Sequence, residues 1–348
     1  MGGGGGRKTN IELLRILAMF LIMMYHYVIH GGIELTTEWV SINSFTAKMM
    51  CMGGKIGVNI FIIITSWFLC DKEIDNKKLV SIYIKVWIYS VILFMGYTLL
   101  KEFNFTNFIR AIFPVSFSSN WYATAYIIFC LVLPYFQNSL KVLSKRNHFQ
   151  LSMLLVTLFC IIPSLTGDFF ISALNPASNL VWFFTMYIVT CYLKRYILNL
   201  FRFTKLQCIL GIIGCYIFFA FSIILLDVYK VRLCILPVFN STYLAPINSI
   251  SVVICSFLLF ILFCNLKVKQ NKFINLLAKT TFGVYLLHDN YLIRSFLWKN
   301  VCKSSRCFYD ENIFILLAIS GIVMVFAICS LVDFIYDFLK SHCFMHQV

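Results

Sequence analysis

Arg15 and His26 are the two side chains of this 348-residue sequence whose types and spacing best suit a shared chemistry. They lie eleven residues apart in an apolar stretch that opens at Ile11. In a helix of about 3.6 residues per turn they share nearly one face, and at 1.5 Å per residue they stand roughly 16 Å apart along the axis. That distance excludes a hydrogen bond between them, so they serve opposite ends of one elongated site. Ionisable residues inside an apolar span are functional candidates by default. Histidine is the side chain whose unperturbed pKa lies near neutrality, so His26 suits a general base. Arg15 offers a bidentate fork for a phosphate. A plainer reading has Arg15 snorkelling to headgroups and His26 satisfying a buried polar contact.

Two further groups flank this axis. Lys72, Lys77 and Lys78 form a basic cluster suited to an anionic ligand such as a phosphate, or an ordinary positively charged loop. Trp121, Tyr122, His288, Asp289, Asn290 and Arg294 gather where apolar segments begin or end. Asp289 beside His288 can orient an imidazole or bind sugar hydroxyls; the bland alternative is an interfacial belt and polar helix cap. No glycine-rich nucleotide loop or HExxH motif occurs. His342 and His346 are four residues apart near the end of the sequence, and no metal is expected. Most cysteines lie in apolar stretches and read as small buried hydrophobes; Cys302 and Cys307 alone bracket a polar loop that suits a local disulfide. Asp227, Asp310 and Glu311 fall in expected loops with no assigned role.

The elements that position these groups follow from composition. The chain is 61% hydrophobic and 12% charged, with a mean hydropathy of +0.86. A soluble domain is about half apolar and a quarter charged, and a disordered chain is poor in the aromatics that make up 17% here. Both classes are excluded. A crossing helix needs about 20 mainly apolar residues, which gives windows at 11–29, 46–69, 79–100, 121–139, 150–166, 179–193, 206–226, 246–265, 273–292 and 312–335. The expected fold is therefore all-α, a polytopic transmembrane bundle of about ten spans. Lys48, Lys55 and Lys279 weaken the second and ninth windows.

With the N-terminus inside, the alternate loops hold sixteen Lys and Arg inside against eight outside. That asymmetry places both termini in the cytoplasm and accounts for the formal charge of +15 without a nucleic-acid partner. Residues 1–10, with the Gly2–Gly6 run, read as a flexible leader. Residues 11–340 form one transmembrane domain, and 341–348 a cytoplasmic tail. Thr9-Asn10-Ile11-Glu12 has the pattern of a capping box.

The opening helix, with Glu12, Arg15 and His26, resembles the acyltransferase family 3 membrane proteins, which O-acetylate cell-surface glycans. Gly57-Val58-Asn59-Ile60-Phe61 with Thr65-Ser66-Trp67-Phe68 is similar to the family's second helix. Asn120-Trp121-Tyr122-Ala123-Thr124-Ala125-Tyr126, running to Pro134, is similar to its fourth. Phe282-Gly283-Val284-Tyr285-Leu286-Leu287-His288-Asp289-Asn290 with Arg294 and Trp298 is similar to its ninth. Where many members carry paired arginines after the second span, this chain has Lys77, Lys78 and Lys85, and Ser66 stands where glycine is common.

The resemblance implies an acetyl-CoA donor in the cytoplasm, a glycan acceptor, and a bacterial inner-membrane location. The residues then take roles: His26 catalytic, Arg15, Lys72, Lys77 and Lys78 on the donor, and Trp121, Tyr122, His288, Asp289 and Arg294 on the acceptor. The competing class is a transporter or glycan flippase, whose intramembrane charges would line a pathway. No internal repeat favours it. Reporter fusions after Lys340 and within 141–146 are expected to read cytoplasmic; either one reading outside overturns the topology.

Overall fold

A computed structural model of the protein describes residues 8–35, 41–166, 179–198, 203–233, 242–310 and 313–345. The Gly2–Gly6 run, Arg7, Arg202, Glu311 and His346 lie outside these residues. The described residues contain helices and no strand. In order they are α1 (Thr9–Ile29), α2 (Ile42–Leu69), α3 (Asn76–Thr98), the short α4 (Phe105–Ile112) and α5 (Trp121–Val142). Then α6 (Lys145–Val156) runs through a π-helical turn into α7 (Ile162–Thr166), followed by α8 (Asn179–Tyr192) and α9 (Lys205–Leu233). Last come α10 (Ile250–Cys264), α11 (Lys272–His288), the single turn α12 (Arg294–Phe296), α13 (Ser304–Asp310) and α14 (Phe314–Met345).

Among the described residues, seven helical stretches are long and apolar enough to cross a membrane: α1, α2, α3, α5, α6 with α7, Lys205–Asp227 of α9, and Phe314–His342 of α14. The windows at 179–193, 246–265 and 273–292 fall on α8, α10 and α11. α10 and α11 have 15 and 17 residues, short of the about 20 that a crossing helix typically needs, and α8 has 14 before it runs on through a π-helical turn at Leu193–Ile197 that carries Lys194 and Arg195. Large apolar side chains such as Ile217, Phe221, Leu316 and Leu331 are exposed on α9 and α14. Exposed apolar faces of this kind suit a lipid surround, in which only helices and closed barrels satisfy their own backbone.

α1 is the hub. It packs along α2 and touches α10, α11 and α14. Glycines permit the closest of these approaches. A Cβ on Gly54 would stand 2.1 Å from the Tyr25 side chain, and one on Gly57 would stand 2.4 Å from the Ala18 carbonyl. Small residues let helix backbones close in this way where lipid supplies no hydrophobic drive between helices. Because Gly54 meets Tyr25 and Gly57 meets Ala18, α2 runs antiparallel to α1.

The start of α1 differs from the expected capping box. Lys8 is the N-cap and contributes no side-chain bond. Thr9 lies within the helix, where its hydroxyl reaches Gln270 Oε1 at 2.9 Å and accepts from the Asn271 amide at 3.1 Å. Asn10 donates to the Phe263 carbonyl at 2.9 Å. Tertiary partners across the bundle replace the local cap, and residues 9 and 10 belong to the packed helix rather than to a leader. At the other end of the chain, α14 continues past residue 340 to Met345.

Of the charges that weakened the apolar windows, Lys48 is held in an ion pair. Lys48, 2% exposed, meets Asp227 at 2.8 Å, joining α2 to α9. Asp227 is therefore a helical ion-pair partner and not a loop residue. Lys85 on α3 meets Asp333 on α14 at 2.7 Å, and Tyr89 donates to the same carboxylate at 2.5 Å. Cys302 and Cys307 are free thiols, with the Cys307 sulfur 3.8 Å from the Cys302 carbonyl oxygen.

Lys48→Met leaves Asp227 as an uncompensated, partly buried charge and should cost about 3–5 kcal/mol. Lys48→Met with Asp227→Leu should recover most of that loss. Thermal unfolding of the purified protein in detergent checks both, and a double variant no better than the single one contradicts the pairing.

Candidate functional site

Arg15, Met19, Ile22 and His26 form one face of α1, at the three- and four-residue steps that keep side chains in line on a helix. This face lines a cavity of about 220 Å³. Opposite it stand Val58, Phe61 and Thr65 of α2, and Trp121, Tyr122 and Tyr126 of α5. Lys279, Phe282 and Tyr285 of α11 complete the wall, with Ile82 from α3. The two residues that the spacing put at opposite ends of an elongated site thus border a single cavity.

At the Arg15 end the guanidinium is poorly satisfied. Its Nε is buried without a hydrogen bond, and Glu12 Oε1 is 4.0 Å away. Lys279 brings a second cation to the same cavity from α11. Two cations, one with an unused donor, suit an anionic ligand. Lys72, Lys77 and Lys78 are exposed at the turn from α2 to α3, outside the cavity wall. The antiparallel packing of α1 and α2 puts that turn at the end where α1 begins. Asp75 caps α3 by accepting from the Lys77 and Lys78 amides, and the Lys78 amide holds its carboxyl below the usual carboxylate range.

At the His26 end a relay of fixed tautomers emerges. His288 Nδ1 lies 2.6 Å from the Val284 carbonyl, which can only accept, so Nδ1 carries the proton. In the neutral ring His288 Nε2 is then an acceptor, and it faces His26 Nδ1 at 2.9 Å. His26 Nδ1 must therefore donate, which leaves Nε2 as its unprotonated nitrogen. The α1–α11 contact thereby sets the tautomer that a general base requires. Trp298 packs edge-on to His288 with centroids 6.0 Å apart.

Asp289, the C-cap of α11, completes the cluster. Its Oδ1 is 3.8 Å from His26 Nδ1, 3.4 Å from His30 Nε2 and 3.5 Å from Arg294 Nη1. These contacts gather two imidazoles and a guanidinium around one carboxylate oxygen. The structure thus brings His26, His288, Asp289 and Arg294 into one group. Trp121 and Tyr122 stand on the cavity wall, and the Tyr122 amide donates to the Tyr285 hydroxyl at 3.1 Å. That bond leaves the Tyr285 proton available to a ligand.

Sequence reasoning gave no role to His30, Lys279, Tyr126 or Tyr285. The signals were present: His30 follows His26 by one helical turn, and Lys279 interrupts an apolar window. Tyr126 and Tyr285 lie inside the segments that carry the family resemblance.

A helical bundle with several membrane-length helices and ionisable groups around an internal cavity defines a multi-pass membrane protein with an internal polar site. The family described as an acyltransferase domain, Acyl_transf_3, matches residues 8–334, and the chain belongs to that family. Comparisons with curated proteins and with solved structures return no match. The match covers every helix from α1 to α13 and most of α14, and with the apolar helices it supports a membrane acyltransferase.

The His288 ring is placed to position His26 through the bond to Nδ1. His288→Phe removes the acceptor for His26 Nδ1–H and should lower kcat by about 10²-fold or more, on the scale of a lost tautomer-fixing partner. His288→Gln keeps a carbonyl acceptor there and should recover part of the rate with KM little changed. Equal losses in the two variants contradict the relay.

Proposed function

We infer that the protein is an O-acyltransferase that moves an acetyl group from cytoplasmic acetyl-CoA to a sugar hydroxyl of a cell-surface polysaccharide or its lipid-linked precursor. The location that goes with this reading is a bacterial inner membrane. One observation carries it: a single cavity is bordered by Arg15 near the start of α1 and by His26 about three turns on. That span is comparable with the reach of an extended pantetheine arm. The phosphates rest at Arg15 and Lys279, with Lys72, Lys77 and Lys78 drawing the anion to that end. The thioester lies near His26. The nucleotide itself need not cross the apolar core, where charge is costly.

The acceptor hydroxyl enters past Trp121, Tyr122 and His288, with Asp289 and Arg294 beside it. His26 Nε2 takes the hydroxyl proton as the oxygen attacks the thioester carbonyl. The tetrahedral oxyanion needs a donor, and the Tyr285 hydroxyl is available on the cavity wall. Collapse forms the ester and expels the CoA thiolate, which takes the proton back from the imidazolium. Asp289 stabilises that imidazolium while it exists. A two-step route through an acyl-His26 uses the same residues.

His26→Ala should abolish transfer and leave acetyl-CoA binding intact, because the base is remote from the phosphates. Arg15→Lys keeps the charge without the planar fork and should weaken acetyl-CoA binding with the fold retained. Donor binding to the purified protein and mass analysis of the surface polysaccharide check the pair. The polysaccharide should lose about 42 daltons per modified repeat, one acetyl in place of one hydrogen, when the protein is absent. Unchanged donor affinity in Arg15→Lys, with activity gone, removes Arg15 from the phosphate site. A transporter would show no acetyl-CoA turnover at all.

A further inference from the structure

Asp289 is 3% exposed, and its Oδ1 makes no hydrogen bond although two imidazoles and a guanidinium approach it. Two of those approaches come from imidazole nitrogens. His26 Nδ1, His30 Nε2 and an Asp289 carboxylate oxygen all lie within 4.8 Å of one another. Two imidazoles and a carboxylate form a ligand set for a divalent transition metal. In a tetrahedral zinc site, with bonds of about 2.0–2.2 Å, the ligand atoms stand about 3.3–3.6 Å apart. The Asp289 contacts to His30, at 3.4 Å, and to His26, at 3.8 Å, are already close to that spacing. His288 Nε2, 2.9 Å from His26 Nδ1, is near enough to supply a fourth ligand. Its Nδ1–H already bonds the Val284 carbonyl, the kind of outer bond that orients a metal-bound imidazole.

We propose that His26, His30 and Asp289 form a binding site for a divalent transition-metal ion of the zinc type, and that filling it stops acyl transfer. The site is a property of these side chains alone; the inhibition rests on His26 being the base of the acyltransferase reading. The inhibition follows from the tautomer. A metal on His26 Nδ1 displaces the proton that this nitrogen gives to His288. The neutral ring then carries its one proton on Nε2. With the proton on Nε2, the ring cannot accept one from a hydroxyl. Arg294 competes with the metal for Asp289 Oδ1 at 3.5 Å, so the guanidinium sets how readily the site fills.

The test uses the full chain purified in detergent and titrated with Co²⁺, whose visible absorption reports bound, tetrahedrally coordinated metal; Zn²⁺ then displaces it. One Co²⁺ per chain is expected. His30→Ala removes a direct ligand and should weaken binding by more than about tenfold, the least that losing even an outer partner of a metal ligand typically costs. Arg294→Gln should tighten it, an opposite change that a misfolded variant does not produce. Zn²⁺ should inhibit acetyl transfer by the wild-type chain, and chelation should restore it. Absence of the Co²⁺ band, or a band insensitive to His30→Ala and Arg294→Gln, overturns the site while measured turnover keeps the acyltransferase reading. A His30-dependent band from a chain that turns over no acetyl-CoA before metal is added confirms the site and overturns the donor assignment. A His30-dependent band with undiminished turnover overturns the inhibition and the role of His26 as base.

Discussion

The hydrogen bond from His26 to His288 joins side chains 262 residues apart in sequence, and the chemistry of the site hangs on it. It holds α1 against α11, fixes the tautomers of both imidazoles, and brings Asp289 beside His26. The bond forms only if the two helices keep their rotation about their own axes. At the far end of the same helix pair, Thr9 ties α1 to the start of α11 through Gln270 and the Asn271 amide. Gly54 and Gly57 bring α2 against the next face of α1, leaving no room for a Cβ. Gly283 does the same between α11 and α14, where a Cβ would stand 1.9 Å from Asp333 Oδ1. The face of α1 that carries Arg15 and His26 is thereby turned toward the cavity.

Buried charges divide into two kinds. Lys48 with Asp227, and Lys85 with Asp333 and Tyr89, are close pairs that link one helix to another. Breaking such a pair is costly because the remaining charge has no solvent to turn to. Arg15 and Asp289 differ: each has a buried atom with no hydrogen bond, and each stands at an end of the reactive face of α1. A charged group held poorly satisfied in an apolar surround is disposed to bind a ligand. That contrast separates groups that hold the bundle from groups that act on something else.

The cationic character of the Arg15 end has two layers. Arg15 and Lys279 border the cavity, whereas Lys72, Lys77 and Lys78 are exposed around the capped start of α3. The inner pair is placed for direct contact with an anion in the cavity. The outer cluster can reach such an anion only through its field, which salt screens over about 10 Å at 0.1 M.

The sequence by itself determined the helical class, the membrane character and the axis of the site. Hydropathy and helical period are properties of consecutive residues, so the apolar windows and the shared face of Arg15 and His26 could be read from order alone. The motifs around Gly57, Trp121 and His288 were sufficient to reach the family. Tertiary structure decided which charges meet. Lys48 read as a flaw in its window because its partner Asp227 lies 179 residues away, and Thr9 read as a cap because its true partners lie beyond residue 260. His30 and Lys279 gained their places only when α1 and α11 were set side by side. Pairings between helices depend on crossing angle, rotation and closest approach, and those arise from the packing of whole surfaces, which no local pattern of residues encodes.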